Sequence, residues 1–119
     1  MKVLITSQGD TMESPIDPRL GRAQGFIVTD EQGNDFEYVD NAQNLNAASG
    51  AGIQAAQNII KLEAEIVITG NCGPKAFSVL STGNVRVYIG ASGTIREALE
   101  QFNNKELKEA QGANVEGHW

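Results

Sequence analysis

The order of its short apolar runs constrains this sequence more than any other feature. Five runs of four or five residues have the composition of β-strands, and they occupy residues 3–6, 26–29, 36–39, 66–69 and 85–89. The first and fourth runs are continuously apolar, which is typical of strands buried on both faces. The second and third runs flank a turn-forming segment at residues 30–34 and predict a β-hairpin.

Helical signals separate the later apolar runs. Residues 50–62 carry apolar side chains at helical spacing, with Ser49 as the expected N-cap. Pro74 suits the first position of a second helix that runs to about Leu80. Thr94 and Glu97 have the spacing of a capping box and predict the start of a third helix. Asn103 and Asn104 are expected to interrupt that helix, and residues 106–110 are expected to add another helical turn.

The resulting order, βββαβαβα, predicts an α/β fold with right-handed parallel crossovers near the C-terminal end. We expect a five-stranded mixed sheet in the order 3-2-1-4-5, with strand 2 antiparallel and with strands 3 and 5 at the edges. Helices on both faces would make this a three-layer α/β/α sandwich of ribonuclease-H-like type. Residues 1–110 are expected to form a single domain, and residues 111–119 a flexible C-terminal tail.

Composition and charge exclude several classes of protein. Hydrophobic residues make up 40% of the 119 residues, enough for a packed core. Fifteen acidic and nine basic residues give a formal charge of -6, which disfavours nucleic acid and anionic membrane surfaces as partners. We found no apolar stretch long enough to cross a bilayer. A single cysteine fits a reducing compartment, so we expect a cytoplasmic protein.

The predicted topology places the long or glycine-rich connections at one edge of the sheet, the carboxyl ends of strands 1, 4 and 5. Open α/β sheets bind ligands at this edge, and the 17-residue connection from Gln8 to Gln24 is long enough to suggest a functional reason. Its arginines supply positive charge, and glycines let backbone amides approach a ligand. The alternative is that these glycines only end strands and start helices. The candidate cofactor-binding residues are Ser7, Arg19, Gly21, Arg22, Gly50, Gly52, Gly70, Asn71, Gly73, Gly93 and Thr94.

Two kinds of catalysis are poorly supported. A two-metal nuclease needs carboxylates on strand 1, which has none, and Asp10 and Asp17 are interpreted as solvated turn residues. Cys72 stands at a predicted helix start, but the sole histidine, His118, lies next to the C-terminus, so a fixed Cys–His pair is not expected. The simpler interpretation of Cys72 is a small buried or half-buried residue in a tight turn. Cys72 and His118 are too few for a closed zinc site, but they suffice for an open site on a preassembled iron–sulfur cluster.

Several segments resemble one known family. Residues 14–23 resemble the loop signature of the dinitrogenase iron–molybdenum cofactor biosynthesis family, and residues 50–56, 68–77, 93–98 and 113–118 resemble its other loops and its histidine-bearing end. The resemblance implies the fold described above and the non-enzymatic binding or transfer of an iron–sulfur-type cofactor precursor. Leu20 stands where an aromatic residue is usual in the family. Cys72 stands where relatives commonly carry an aliphatic residue, so cysteine ligation is not implied by the resemblance.

The leading hypothesis is therefore a carrier for an iron–sulfur or iron–molybdenum-type cluster. Cys72 or His118 would ligate the metal, and Arg19 or Arg22 would offset the negative charge of the cluster. Iron–sulfur assembly proteins are the expected protein partners, and the chain is expected to be a monomer or a homodimer. The alternative is a regulatory module that binds a small molecule or an anion without metal. A third possibility is an interaction protein that assembles through a sheet edge.

Overall fold

The computed structural model of the chain describes residues 1–41 and 50–111. They form one six-stranded mixed sheet in the order β3-β2-β1-β4-β5-β6. The strands are β1 Val3–Ser7, β2 Gly25–Thr29, β3 Phe36–Asp40, β4 Ile66–Ile68, β5 Arg86–Ile89 and β6 Lys108–Glu109. The helices are α1 Ala51–Lys61, α2 Pro74–Thr82 and α3 Ile95–Asn103. Within this part of the chain, no helix is both long and apolar enough to cross a lipid bilayer.

The predicted sheet order is confirmed for its five strands. β1 pairs antiparallel with β2 and parallel with β4, β4 pairs parallel with β5, and β2 pairs antiparallel with β3. The parallel strands β1, β4 and β5 all end at the same edge of the sheet, which we call the carboxyl edge.

β1 is buried on both faces, as its continuous apolar run predicted. Leu4 packs into a core with Val67 and with Ala55 and Ile59 of α1, which we call the α1–α2 core. Val3 and Ile5 pack with residues of α3 into a second core, the α3 core. The helices therefore pack against opposite sides of the sheet.

The predicted helical turn at residues 106–110 is wrong, because this segment forms the short strand β6. Its residues pair antiparallel with β5, and the Ala110 N–H donates to the Val87 carbonyl at 2.8 Å. Leu107 packs against the α3 core, whereas Ala110 is buried in the α1–α2 core. Two apolar residues three positions apart fit a helix face, but they also fit opposite faces of a strand. β5 is consequently an inner strand and not the edge that we expected.

The starts of the helices follow the sequence signals with one exception. Pro74 occupies the first turn of α2, and Gly83 follows its last residue. The N-cap of α1 is Gly50, in the left-handed conformation at φ 76°, whereas Ser49, the expected N-cap, lies outside the described residues. Glycine adopts this conformation without the steric cost that a side chain would add.

The capping box of α3 is confirmed. The Glu97 N–H donates to Thr94 Oγ1 at 3.1 Å, and the Thr94 N–H donates to Glu97 Oε1 at 2.9 Å. These two bonds satisfy amides that have no partner within the helix itself.

Thr94→Ala is expected to lower the free energy of unfolding by about 1 kcal/mol, because it removes the side-chain acceptor at the N-cap. Urea denaturation followed by far-ultraviolet circular dichroism measures the change. Thr82→Ala, at the exposed last residue of α2, is the matched control and is expected to change stability by less than about 0.5 kcal/mol. Equal effects of the two substitutions would contradict the structural role of the capping box.

Candidate functional site

The connection between β1 and β2, residues 8–24, crosses the carboxyl edge and contacts elements on both sides of the sheet. Ser7 and Ile16 form one backbone bridge, Pro15 and Thr94 a second, and Arg19 and Asn71 a third. We call residues 8–24 the crossing loop. Its first half contacts the start of α3, and its second half contacts the start of α1 and the β4–α2 connection.

The first half of the crossing loop occupies the amides at the start of α3. The Ile95 N–H donates to the Ser14 carbonyl, and the Arg96 N–H donates to the Met12 carbonyl, each at 2.9 Å. The Ile16 N–H donates to the Gly93 carbonyl at 2.9 Å. With its capping box formed as well, the N-terminus of α3 already has internal acceptors. Gly93 and Thr94 therefore have a structural role in this arrangement.

The second half of the crossing loop lies directly over the end of β4. The Asn71 N–H donates to the Pro18 carbonyl at 2.8 Å. A Cβ atom on Gly70 would lie 2.9 Å from the Pro18 Cα, which explains why the backbone at this position needs glycine. The gap between β1 and β4, where a ligand of an open α/β sheet is expected, is thus covered by this loop.

The crossing loop also touches the start of α1. A Cβ atom on Gly21 would lie 2.8 Å from both the Cα and the nitrogen of Gly52. The buried Asn41 side chain holds this part of the loop from below, because its Nδ2 donates to the carbonyl of Ala23 at 2.9 Å and lies 3.4 Å from that of Gly21. The structure therefore brings Gly21 and Gly52 together, and it places Arg19 and Arg22 on the same loop between α1 and the β4–α2 connection.

The N-termini of α1 and α2 differ from that of α3. Their N-caps are Gly50 and Gly73, and neither helix has a side-chain cap among the described residues. Neither helix carries an acidic residue in its first turn. The positive ends of the two helix dipoles and the two loop arginines thus lie on the α1–α2 side of the carboxyl edge, a combination that favours anions.

Arg19 is held by a carboxylate that the sequence did not reveal as part of the site. Its Nε lies 3.5 Å from Asp17 Oδ1, and 39% of the Arg19 side chain remains exposed. We interpreted Asp17 as a solvated turn residue, but that prediction is wrong, since only 4% of its side chain is exposed. Asp10 is exposed as expected. A shallow cavity of about 340 Å³ adjoins the arginine and is lined by Gln8, Asp17, Pro18, Arg19 and Gln24.

Hydroxyl groups beneath the crossing loop fix it to the sheet. Thr6 Oγ1 lies 2.6 Å from the Asp17 carbonyl, to which it donates, and 2.9 Å from Thr69 Oγ1. Ser7 is buried as well, and its Oγ accepts the Gly9 N–H at 3.1 Å and lies 2.6 Å from the Gly9 carbonyl. Ser7 therefore shapes the turn that leaves β1 and does not face a ligand here.

Cys72 lies at the carboxyl edge but points into the protein. Its side chain is fully buried in the α1–α2 core, and its Sγ lies 3.6 Å from the Gly73 carbonyl. Burial raises the pKa of the Cys72 thiol from 9.0 to about 12. The neutral thiol is a poor metal ligand, because metal binding requires the thiolate. Ligation by Cys72 stays a prediction, and it would require this side chain to leave the core.

His118, the second metal ligand expected from the sequence, lies outside the described residues. Across residues 1–41 and 50–111, no three His, Cys, Asp or Glu side chains are grouped so that they could hold a metal ion. A second cavity, of about 470 Å³, lies at the opposite edge of the sheet and includes Met1, Asp30, Asp35, Phe36 and Glu37 in its lining. Its lining combines the carboxylates of Asp30, Asp35 and Glu37 with Lys2 and the N-terminal amine, and it includes no residue of the crossing loop.

Comparison with known proteins shows similarity to one family and to several solved structures. The model of the dinitrogenase iron-molybdenum cofactor family matches residues 1–105. The apo form of the orange protein (ORP) from Desulfovibrio gigas superposes with a TM-score of 0.91 at 36% sequence identity, covering 96% of each chain. A NifB-like protein from Thermotoga gives a TM-score of 0.82 at 32% identity, covering 98% of each chain. An uncharacterized protein from Methanocaldococcus jannaschii is 25% identical over 95 residues, 78% of this chain and 80% of that protein.

Gly21→Ala is expected to destabilise the protein by about 1–3 kcal/mol, because the new Cβ would overlap the backbone of Gly52. Chemical denaturation measures the loss. Gly90→Ala at the same edge is the control, since its Cβ meets nothing within 4 Å and tests only the cost of a φ of 88°, about 1 kcal/mol. A Gly21→Ala variant as stable as the wild type would contradict the close approach of the loop to α1.

The buried thiol predicts a pH dependence of stability. Its pKa is about 12 in the folded protein and near 9.0 in the unfolded chain. The unfolded state therefore loses this proton first, so the thiol's contribution is fully present below about pH 9 and is lost as the pH rises towards about 12, at roughly 1.4 kcal/mol per pH unit. Urea denaturation between pH 8 and pH 11 is expected to show a steeper decline in the wild type than in Cys72→Ala. Parallel declines would mean that the thiol is not buried as described.

Proposed function

Starting from the fact that this chain belongs to the dinitrogenase iron-molybdenum cofactor family, we propose that it binds and transfers an iron–sulfur-type metallocluster or cofactor precursor without catalysing a reaction. The family match and the similarity to the orange protein and to a NifB-like protein support a role related to cofactor biosynthesis or cluster binding. The cargo would dock on the outer surface of the crossing loop at the carboxyl edge.

One observation carries this proposal: the crossing loop, which bears Arg19 and Arg22, contacts Asn71 in the β4–α2 connection and Gly52 at the start of α1, and neither helix has an acidic residue in its first turn. Clusters built from iron, sulfide and thiolate or oxo groups are commonly anionic, and their sulfides accept hydrogen bonds. Guanidinium groups remain charged at every physiological pH and donate several hydrogen bonds. In a chain of net charge -6, this local positive region would select the position at which an anionic cargo binds.

Membership of this family also supports inferences about the fold type, the cellular location and the partners. We infer that the helices on the two faces make a three-layer sandwich of ribonuclease-H-like type and that the protein works in the cytoplasm. The partners would be iron–sulfur assembly proteins that load or receive the cargo, with no role for nucleic acid or a membrane. Metal ligation by Cys72 would require its buried thiol, whose pKa is raised, to leave the core, and His118 lies outside the described residues.

A second candidate, an anion-binding regulatory module without metal, is favoured by the burial of Cys72. The groups proposed for the site, guanidinium and backbone amides, bind phosphate or carboxylate as readily as they bind a cluster. Thermal unfolding separates the candidates. Stabilisation by phosphorylated or carboxylate metabolites, without a response to iron, sulfide and molybdate, would favour the regulatory module.

Anaerobic reconstitution with iron and sulfide, with and without molybdate, tests the carrier proposal. The wild type is expected to retain metal through gel filtration and to show visible charge-transfer absorption. Arg19→Gln together with Arg22→Gln is expected to weaken retention by about tenfold or more, because two charge-assisted contacts are lost. Arg86→Gln, an exposed arginine at the opposite end of β5, is the matched control and should retain the cargo. Absence of bound metal in the wild type would contradict the carrier proposal.

Cys72→Ser and Cys72→Ala separate the two ways of holding the cargo. If charge and hydrogen bonds hold it, both variants are expected to keep the absorption of the wild type. Loss of the absorption in both variants, with an unchanged circular dichroism spectrum, would assign metal ligation to Cys72.

A further inference from the structure

Asp17 is the only Asp, Glu, Lys or Arg buried among the described residues. It lies in the middle of the crossing loop, beside the arginines of the proposed site. Burying a carboxylate costs free energy unless hydrogen bonds compensate for the lost water. An acidic group also repels an anionic cargo. Its presence under a proposed anion site therefore calls for a physical explanation.

The hydrogen bonds of Asp17 supply that explanation. Its Oδ1 accepts the backbone N–H of Arg19 at 3.0 Å, and its Oδ2 accepts the backbone N–H of Gln24 at 3.3 Å. The two donors enclose the whole segment that carries Arg19 and Arg22. The carboxylate thus closes residues 17–24 into one compact turn.

The backbone of Asp17 is itself fixed to the sheet. Its N–H donates to the Thr6 carbonyl at 2.9 Å, and its own carbonyl accepts the Thr6 hydroxyl at 2.6 Å. The closed turn is therefore attached to the end of β1, and the Arg19 guanidinium receives additional support from the same carboxylate at 3.5 Å. Arginine loses much rotamer freedom when it binds a ligand, and a segment held in advance reduces the entropy that binding must still remove.

We propose that Asp17 is the positioning residue of the cargo site: its buried carboxylate holds the segment with Arg19 and Arg22 in the binding conformation without touching the cargo. The inference rests on the proposed function, since it concerns the same cargo. An amide cannot replace the carboxylate, because asparagine has one acceptor oxygen, whereas Asp17 uses both of its oxygens.

The sign of the effect separates positioning from simple electrostatics. Removing a negative charge near an anion site should strengthen anion binding if charge alone matters. Loss of positioning should instead weaken it, by about tenfold to 100-fold if Asp17 matters as much as the outer partners of metal ligands do. Asp17→Asn is compared with Asp10→Asn, which neutralises an exposed aspartate of the same loop. The probe is the cluster assembled anaerobically from iron, sulfide and molybdate, and metal retention and visible absorption are measured.

Amide hydrogen exchange supplies a second readout, and its measurement on the wild type does not depend on the folding of the variant. In the wild type, the amides of Arg19 and Gln24 are expected to exchange much more slowly than that of Asp10, because a buried carboxylate accepts them. In a folded Asp17→Asn protein, these two amides should lose protection while those of Leu4 and Val67 keep theirs. General loss of protection would indicate a purely structural role for Asp17.

The results that test the role of Asp17 differ from the result that tests cargo binding by the wild type. Weaker cargo binding by Asp17→Asn, with Asp10→Asn unchanged or stronger, is expected. Unchanged or stronger binding by Asp17→Asn overturns the inference and leaves the carrier proposal standing. Rapid exchange of the Arg19 and Gln24 amides in the wild type overturns it as well. Failure of the wild type to bind any cargo overturns the carrier proposal, and with it the inference.

Discussion

The pairing of β1 on both sides and the burial of both its faces determine where every other part of the molecule lies. β1 joins the antiparallel neighbour β2 to the parallel neighbour β4, so the direction of the sheet changes at this strand. Leu4 and the pair Val3 and Ile5 face separate cores, and a shift of one residue would exchange the two faces. The register of β1 therefore fixes the point at which the crossing loop begins, above the gap between β1 and β4.

The crossing loop uses that starting point to divide the carboxyl edge into two unequal halves. On the α3 side, its carbonyls satisfy the first amides of the helix, and the capping box adds further acceptors. On the α1–α2 side, the helices begin with glycine caps, and the loop contributes Arg19 and Arg22. The edge thus has its first helix amides bonded to the loop on the α3 side, and it carries two arginines of the loop on the α1–α2 side. This asymmetry arises from the backbone path of the crossing loop and not from the sheet itself, which has helices packed on both of its faces.

The sequence predicted those features that short-range patterns encode. The apolar runs predicted five strands and their order, and Thr94 with Glu97 predicted the capping box, because each signal lies within a few residues of the structure that it forms. β6 was missed because Leu107 and Ala110 fit a helix as well as a strand. The burial of Asp17 was missed for a different reason. Its compensating partners are backbone amides, which no side-chain pattern reveals.

Cys72 and Asn41 both follow strands and lie at the carboxyl edge, but only one of them was interpreted from the sequence. The burial of Cys72 in the α1–α2 core agrees with its interpretation as a small buried or half-buried residue in a tight turn. No role was predicted for Asn41, which is fully buried under the crossing loop and donates to the Ala23 carbonyl. That partner lies 18 residues away in the sequence, so the role of Asn41 was not accessible to local reasoning.

The buried thiol and the two half-buried arginines of the crossing loop have different consequences for a carrier. A thiolate ligand would form a coordinate bond with the cargo, and at Cys72 it would first have to leave an apolar core in which its pKa is about 12. Guanidinium groups and helix amides hold an anion without forming such a bond, so the cargo can leave without ligand exchange at the protein. Transfer to a partner then requires only that the partner offer stronger ligands. For the proposed role, a site built from charge and backbone amides on a preorganised loop is therefore better suited to delivery than one built on Cys72.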